Sequence, residues 1–562
     1  MAEIHPKPTH EHVEMADSIA ERDVKHATPT TDDDDRLAQL GHVQELQRNY
    51  SIWSLGSLCL CLMATWEALS TVIATALTTG GAPCLFFNLL ISVICTIAIA
   101  CSLGEIASIY PTAGGQYHWV AALSPPSSRA TAAWVTGWIN IGGQIVLTAS
   151  AAFAAGLQLQ ALIVLNNDSY VPARWQGLLF YWAILLYAAA LNIWGSKMLP
   201  TANLVSGVLH ITGFLAILIT LGVMAPKNSA SFVFKEVSNS SGWSNDGISW
   251  LVGLLSSVYP LLGYDAACHL AEEMPHASRN VPIAMIGSVT VNGILGIGYC
   301  IMLLFSTGTL DVLLATPTGF PFMQIFLDAT RSAAGATIMS LVITLIAIAA
   351  TVGGITSTSR TVWAFARDKA VPFDRYFARV NPSSHIPVRA IVLITVLQML
   401  LGFIYLGNST AFNAILSMAI LAGGERVRVL QDAQGAGSGA ESAVVRVARA
   451  GGCVLDVSDV HAGFVAEYEL LDRGHGSSRS LLLTVSRVAS ERDTHDRMCS
   501  VHFASRRVSE KCHNKVNTSE NNKIVKEQVQ LLSTTQPNSD RAASPSSLTA
   551  VTACLVCAAS WV

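Results

Sequence analysis

The sequence predicts an all-α protein that spans a membrane, and three observations support this class. Of the 562 residues, 51% are hydrophobic and only 13% are charged, whereas soluble domains carry roughly 25% charged residues. Nine apolar runs are long enough to cross the roughly 30 Å hydrocarbon core, which takes about 20 helical residues. One of them, 248–271, carries helix breakers and a carboxylate in its middle. Such groups are tolerated at membrane depth only where they line a cavity or pack on protein.

The nine apolar runs, which we number spans 1 to 9 in chain order, give the predicted helices. They cover residues 52–78, 83–103, 131–157, 177–194, 203–224, 248–271, 283–305, 335–356 and 390–406. A tenth run begins near Thr410 and stops at Ala422, roughly half a span, and its helix of about 20 Å is short of the roughly 30 Å core. The sequence therefore predicts a transmembrane domain over residues 50–422, with nine full helices and half of a tenth.

The two ends of the chain differ from this domain in composition. Residues 1–49 are polar, contain the run Asp32–Asp35 and lack the apolar stretch of a signal peptide. We predict a disordered cytoplasmic tail there. Residues 423–562 hold 16 Lys and Arg, against 13 in residues 50–422. Because this segment begins inside an unfinished span, we interpret it as disordered and aberrant, from a missed splice site or frameshift. A natural cytoplasmic tail is the alternative.

The charges of the loops predict an orientation. With a cytoplasmic amino terminus, nine Lys and Arg fall in inside loops and four in outside loops, as the positive-inside rule requires. Three glycosylation sequons, which begin at Asn167, Asn239 and Asn408, all fall in outside loops. Both observations favour a cytoplasmic amino terminus.

Composition and missing motifs exclude several classes of function. The formal net charge is −4 and no basic stripe is present, so we expect no nucleic-acid partner. Seven cysteines lie in apolar runs as small hydrophobic residues, and they imply no disulfide framework. Phosphate loops of the GxxxxGK[ST] type, HExxH and GxSxG are all absent. We therefore expect neither an enzyme nor an ATP-driven pump, and no cofactor or metal.

Span 6 carries the strongest functional signal. Pro260, Gly263 and Asp265 lie in the middle of its apolar run. A broken helix with an ionisable group near mid-membrane is typical of the substrate site of a secondary transporter. The sequence therefore predicts that this segment lines a binding site.

Three stretches, Ser102–Pro125, Gly263–Met285 and Ser359–Phe373, resemble the amino acid-polyamine-organocation superfamily. Within it, the chain is most similar to the fungal amino acid and choline permeases, from about Tyr50 to Ala422. The resemblance implies a five-plus-five inverted-repeat bundle of the leucine-transporter type, with helices 1 and 6 broken around the substrate and two helices after the tenth. By this comparison the chain is truncated inside helix 10, and we expect the chain as written to transport poorly.

The resemblance also indicates a site in span 1. Helix 1 of such transporters usually breaks at a glycine-rich turn whose amides bind the substrate carboxylate, whereas the matching stretch here, Thr65–Thr71, has no glycine. Glu67 instead places a negative charge there, and aromatic faces and carboxylates both attract ammonium groups. The predicted substrate-binding residues are Thr65, Trp66, Glu67, Ala68, Leu69, Ser70, Tyr259, Gly263, Tyr264 and Asp265.

Each of these residues also has a structural interpretation. Asp265 is a favoured residue for capping the second half of span 6, and Glu67 could be a buried acid kept protonated by desolvation. Trp66, Tyr259 and Tyr264 could be packing or interfacial aromatics.

Proton coupling is predicted for Glu67 and His210. His210 lies in span 5, where proton-coupled members of the superfamily often carry a lysine, and histidine changes charge near physiological pH. A histidine bonded in helix packing is the alternative. Glu105, Glu272 and Glu273 lie near basic loops, and we expect ion pairs of an inner gate there rather than a substrate site.

Together these features predict a secondary-active permease in the lipid bilayer of the plasma membrane, coupled to protons. A site with Glu67 and aromatic residues favours choline or a related amine. An amino acid or 4-aminobutyrate permease is the alternative substrate class. A nutrient sensor that binds without transport, and a non-functional truncated product, are the remaining alternatives.

Overall fold

The computed structural model describes residues 32–407 except Asp168. The predictions for residues 1–31, for the incomplete span at 410–422 and for the segment 423–562 lie outside the described residues.

All regular structure in this part of the chain is helical. The α-helices are α1 (Asp32–Gln39), α2 (Ile52–Met63), α3 (Thr65–Ile109), α4 (Gln116–Leu123), α5 (Arg129–Asn166), α6 (Arg174–Trp194), α7 (Leu199–Met224), α8 (Ala230–Phe234), α9 (Asp246–Val258), α10 (Ala266–His269), α11 (Ala277–Phe305), α12 (Leu310–Leu314), α13 (Pro321–Thr330), α14 (Ala333–Arg367), α15 (Asp374–Phe377) and α16 (Val388–Gly407). Short 3-10 turns cover Ser196–Met198, Tyr259–Leu261 and Ala271–Glu273.

Within the described chain, eight helical stretches are long and apolar enough to cross a membrane. The first, Ile52–Ile109, contains both span 1 and span 2. The two spans are separated within α3 by a kink at Gly81, which has a φ of 76°. Each of the nine predicted spans therefore corresponds to helix in the structure. The predicted class, an all-α membrane protein, is confirmed.

Spans 1 and 6 are both interrupted, as predicted. Span 1 breaks at Ala64, which has left-handed backbone angles (φ 43°, ψ 47°) between α2 and α3. In span 6, α9 ends at Val258, Gly263 has a φ of 104°, and helix resumes at Ala266. Left-handed backbone costs a residue other than glycine about 1–2 kcal/mol, so the surrounding packing holds Ala64 in place. The matching stretch Thr65–Thr71 does not contain the break and forms continuous helix.

Two apolar cores hold the bundle together. The larger draws mainly on spans 1, 2, 6 and 7, with Trp66 and Tyr299 among its fully buried members. The smaller draws mainly on spans 3, 4, 8 and 9, with Tyr181 and Trp363 fully buried. Many large apolar side chains on the outer faces of the spans remain exposed, for example Ile294 at 67%, as a lipid-facing surface requires.

Residues 32–49 pack on one end of the bundle, which we call the predicted inner end. Arg36 donates to the Ser108 carbonyl at 3.0 Å, near the end of α3. Gln44 Nε2 donates to the Glu272 carbonyl at 2.8 Å, and Arg48 pairs with Asp34 at 2.7 Å. Arg36 and Gln44 thus satisfy carbonyl groups near helix ends, which helices leave without partners of their own.

Candidate binding site between the two broken helices

A partly open cavity lies beside the two helix breaks. Its polar lining residues are Glu67, Thr71, Gln158 and Tyr259. The other lining residues are Leu62, Met63, Ala64, Ala68, Leu147, Ala151, Ala154, Leu262, Ile343, Ala347 and Ala350. Spans 1, 3, 6 and 8 all contribute, so the cavity lies between the two apolar cores.

Glu67 pairs with His210, and both side chains are buried. Oε1 of Glu67 lies 2.7 Å from Nδ1 of His210, with side-chain exposures of 2% and 0%. The second carboxylate oxygen, Oε2, has no hydrogen-bond partner among the described residues, and neither has Nε2 of His210. A buried polar atom without a partner costs about 1–3 kcal/mol or more if charged. Glu67 also lines the cavity.

The other predicted residues of span 1 either line the cavity or pack inside the bundle. Ala68 lines the cavity with Glu67, whereas Trp66, Leu69 and Ser70 are fully buried and do not. The Trp66 ring packs on His210 at 5.9 Å between centroids and on Tyr299 at 5.3 Å. These side chains pack α3 against α7 and α11.

Thr65 joins the two breaks directly. Its hydroxyl donates to the Pro260 carbonyl at 2.7 Å, and both groups are buried. Pro260 lies in the 3-10 turn where span 6 stops being helical. This contact satisfies a carbonyl freed by the break, and it fixes the spacing of the two broken helices beside the cavity.

In span 6, Tyr259 lines the cavity and its hydroxyl lies 2.9 Å from Ser150 Oγ. Gly263, Tyr264 and Asp265 are not among the lining residues. Oδ2 of Asp265 accepts a hydrogen bond from Gln116 Nε2 at 2.9 Å. Its side chain makes no capping bond to α10. Asp265 therefore belongs to a polar network that includes Gln116, and it does not line the cavity.

That network contains buried residues that sequence reasoning missed. Its amide groups form a chain: Asn140 Nδ2 donates to Gln116 Oε1 at 3.0 Å, and Gln144 Nε2 donates to Asn140 Oδ1 at 2.9 Å. Gln144 Nε2 also lies 2.7 Å from Nε2 of the fully buried His269. Asn140 and Gln144 are four residues apart on α5, as are Asp265 and His269 in span 6. Polar pairs at this spacing share a helix face, and that signal could have revealed them.

Two ion pairs close the bundle at the predicted inner end. Arg367 donates two bonds to Glu272, each 2.9 Å, and Arg360 donates to Glu273 at 2.7 Å. Arg360 is 1% exposed and Glu273 5%. The ion pairs predicted for Glu272 and Glu273 are present. Glu105 is exposed and forms no ion pair within the described part of the chain.

Comparison with known proteins identifies the family. A family profile described as amino acid permease matches residues 50–423, which include every element of the site. The chain belongs to this family. The resemblance stated from the sequence is confirmed, and this permease is an integral, multi-pass membrane protein.

Individual relatives agree with the family assignment. The permease is 30% identical over 377 residues to a choline transporter of Saccharomyces cerevisiae, covering 67% of each chain. It is 31% identical to an amino-acid permease BAT1 homolog of Oryza sativa subsp. japonica, covering 69% of this chain and 77% of the relative. The crystal structure of MhsT in complex with L-phenylalanine aligns with a TM-score of 0.48 and 16% identity, over 73% of this chain and 98% of that chain.

Proposed function

We propose that this permease is a secondary-active transporter, rather than an enzyme, for a small organic cation of the choline class. The proposal includes a plasma-membrane location and a cytoplasmic amino terminus. The loop charges support the orientation. It rests chiefly on one observation, the charge of the cavity wall.

Glu67 is the single charged residue among the described residues that line the cavity. Its Oε2 atom is buried and has no hydrogen-bond partner among the described residues. The quaternary ammonium group of choline has no N–H to donate, so its attraction to Glu67 is Coulombic. Two unit charges about 4 Å apart attract by about 4 kcal/mol at an effective dielectric constant of about 20, before desolvation is counted. A cation therefore gains more in this cavity than a carboxylate, for which the lining offers only neutral donors.

Two further lining residues suit a choline-like molecule. The Tyr259 ring can face a quaternary ammonium group, an interaction that contributes about 0.5–2 kcal/mol. Both polar atoms of the Gln158 side chain are buried and have no partner in the described part of the chain. A ligand hydroxyl could both donate to and accept from this amide. The named function of the yeast relative, a choline transporter, supports the same substrate class.

Protons are proposed to act through His210. When His210 is protonated, its positive charge neutralises Glu67 across the 2.7 Å contact, and the attraction for a cation in the cavity weakens. When His210 is neutral, Glu67 keeps its net charge. Cation binding and His210 protonation therefore oppose each other, which provides a physical link between a proton gradient and the substrate.

A second substrate class, amino acids including 4-aminobutyrate, is favoured by the rice relative named as an amino-acid permease. In that case the carboxylate would accept from Nε2 of the lining residue Gln158, while the amino group binds Glu67.

Uptake of radiolabelled choline, tetramethylammonium and 4-aminobutyrate into proteoliposomes tests the proposal. We expect saturable choline uptake, with tetramethylammonium weaker because it lacks the hydroxyl. The variant Gln158→Leu should reduce this preference without reducing tetramethylammonium uptake. Uptake of 4-aminobutyrate without choline would overturn the substrate class. Equilibrium binding of choline without uptake would favour a sensor over a transporter.

A further inference from the structure

A cluster of metal-binding side chains lies at the predicted inner end, away from the cavity. His42, His118 and Asp368 each offer one ligand atom, and these atoms lie within 4.8 Å of one another. The two imidazole rings are 5.7 Å apart between centroids. In the described chain this is the one group of three or more His, Cys, Asp or Glu residues with such spacing.

The three ligands come from separate segments of the chain. His42 follows α1 in the segment that precedes the first span, His118 lies in α4 between spans 2 and 3, and Asp368 directly follows α14. An ion held by all three would fasten the amino-terminal segment to the end of span 8. No other covalent or ionic link joins these three segments among the residues described.

We propose that these residues form a binding site for a divalent transition-metal ion of the Zn2+ class. Two imidazole nitrogens with one carboxylate oxygen suit zinc, whereas Mg2+ and Ca2+ prefer oxygen ligands alone. Ligands at about 2.1 Å from a tetrahedral ion stand about 3.4 Å apart. Shifts of about 1 Å in the side chains would bring the three atoms to that spacing, and the fourth position would hold water.

The surroundings support such an ion. The Tyr117 hydroxyl donates to Oδ2 of Asp368 at 2.9 Å, and a bond of this kind orients a ligating carboxylate. Asp368 is exposed, so an ion can reach the cluster from solvent.

The nearby charges act in both directions. Arg367 is the adjacent cation, and its charge acts on both histidines. It is neutralised locally by its paired bonds to Glu272. The charge of Asp368 therefore remains available to a cation, and the exposed Glu45 near the same groups adds to the negative charge.

Calorimetric titration of the purified full-length chain with Zn2+ tests the site. Because the chain contains 15 His and 12 Cys, the comparison between variants matters more than the total bound. We expect His118→Ala and Asp368→Asn each to lose one ion, or to weaken one site at least tenfold. Tyr117→Phe should weaken the same site about tenfold or more. The control His276→Asn changes an exposed histidine at the same end and should bind like the parent.

Hydrogen exchange of the backbone amides gives a second measurement. An ion bound elsewhere on the chain would not slow exchange in the segment that contains His42. Zn2+ should slow exchange in residues 40–50 of the parent and leave that of Asp368→Asn unchanged. Equal melting temperatures without metal would show that the variants fold. Equal Zn2+ stoichiometry and affinity in the parent, His118→Ala and Asp368→Asn would overturn the proposal, as would equal slowing of exchange in the parent and Asp368→Asn.

Discussion

The pair formed by Glu67 and His210 brings a carboxylate of the cavity wall within 2.7 Å of a fully buried base. Among the described residues, each partner leaves one buried polar atom without a hydrogen bond. Unpaired buried groups are costly, so the proposed function assigns a ligand of the cavity as a further partner of this pair.

Glu67→Gln should weaken choline binding about ten- to a hundredfold, because it removes the negative charge that attracts the quaternary ammonium group; each tenfold loss corresponds to about 1.4 kcal/mol of that attraction. Binding of a zwitterionic amino acid should change less. Asp265→Asn serves as a contrast: Asp265 does not line the cavity, so we expect a lower maximal uptake rate and a smaller change in affinity. Labelled-substrate binding and initial uptake rates measure both effects.

The exposed acid Glu236 offers a matched control, and Glu236→Gln should leave choline binding unchanged. Unaltered binding of both substrates in Glu67→Gln would remove this residue from the site. A loss of affinity in Asp265→Asn as large as in Glu67→Gln would place Asp265 in the site as well.

His210→Gln should flatten the pH dependence of uptake. In the proposed coupling, a proton on His210 neutralises the charge of Glu67 across the 2.7 Å contact, and its loss restores that charge. The apparent affinity for choline should therefore depend on pH in the parent. Glutamine can donate to Glu67 but does not titrate, so the affinity should stay constant while substrate exchange continues. A variant that keeps the parental pH profile would contradict proton coupling through His210 and favour a packing role for this residue.

At the level of helices, the two breaks depend on each other. Ala64 holds a left-handed conformation without being a glycine, and the next residue, Thr65, donates to the Pro260 carbonyl in the other break. The distance between the broken helices is therefore fixed by a side chain to backbone bond as well as by packing. This bond lies within the membrane-spanning part, where water does not replace a lost partner.

Thr65→Val keeps the shape of the side chain and removes the hydroxyl. It leaves the Pro260 carbonyl buried without that donor, at a cost of about 1–3 kcal/mol. We expect a lower melting temperature in detergent and weaker choline binding, because the cavity wall shifts with the break. Thr65→Ser retains the hydroxyl and should keep most of the stability. Equal melting temperatures for the valine variant and the parent would show that the bond is dispensable.

Across the whole molecule, the ion pairs at the predicted inner end connect span 6 to span 8. Arg360 and Glu273 are both nearly inaccessible, and the backbone N–H of Tyr50 donates to the Glu273 carbonyl at 3.3 Å. The start of span 1 therefore meets the same pair. Separation of this contact would be required for any opening of the bundle at that end.

Arg360→Met should destabilise the permease strongly, by about 3–5 kcal/mol, because it leaves the Glu273 carboxylate buried and unpaired. The double variant Arg360→Met with Glu273→Met should recover much of this loss, since two apolar side chains replace a buried pair with little cost. Thermal unfolding of both variants measures the difference. A double variant no more stable than the single variant would argue against this pair as the source of the effect.

The elements could be predicted from the sequence because the bilayer imposes a local requirement. Each span must bury about 20 apolar residues and satisfy its own backbone, so apolar runs identified spans 1 to 9. Boundaries were less accurate. The predicted run 335–356 is shorter than the helix Ala333–Arg367 that contains it. The last turns of this helix contain polar residues and are buried by protein instead of lipid, so hydrophobicity does not mark them. The breaks in spans 1 and 6 were expected too, although the left-handed residue is Ala64, and no sequence signal marks an alanine for that conformation.

By itself the sequence determined the membrane class, the order of the spans, the interruption of span 6 and the identity of Glu67 and His210 as unusual residues for a lipid environment. Only the tertiary structure decided that these two side chains meet, that Thr65 reaches Pro260, and that Asp265 joins Gln116 outside the cavity. Hydrophobicity is a property of each segment alone. A hydrogen bond between spans depends on helix rotation and packing, which distant parts of the chain set together.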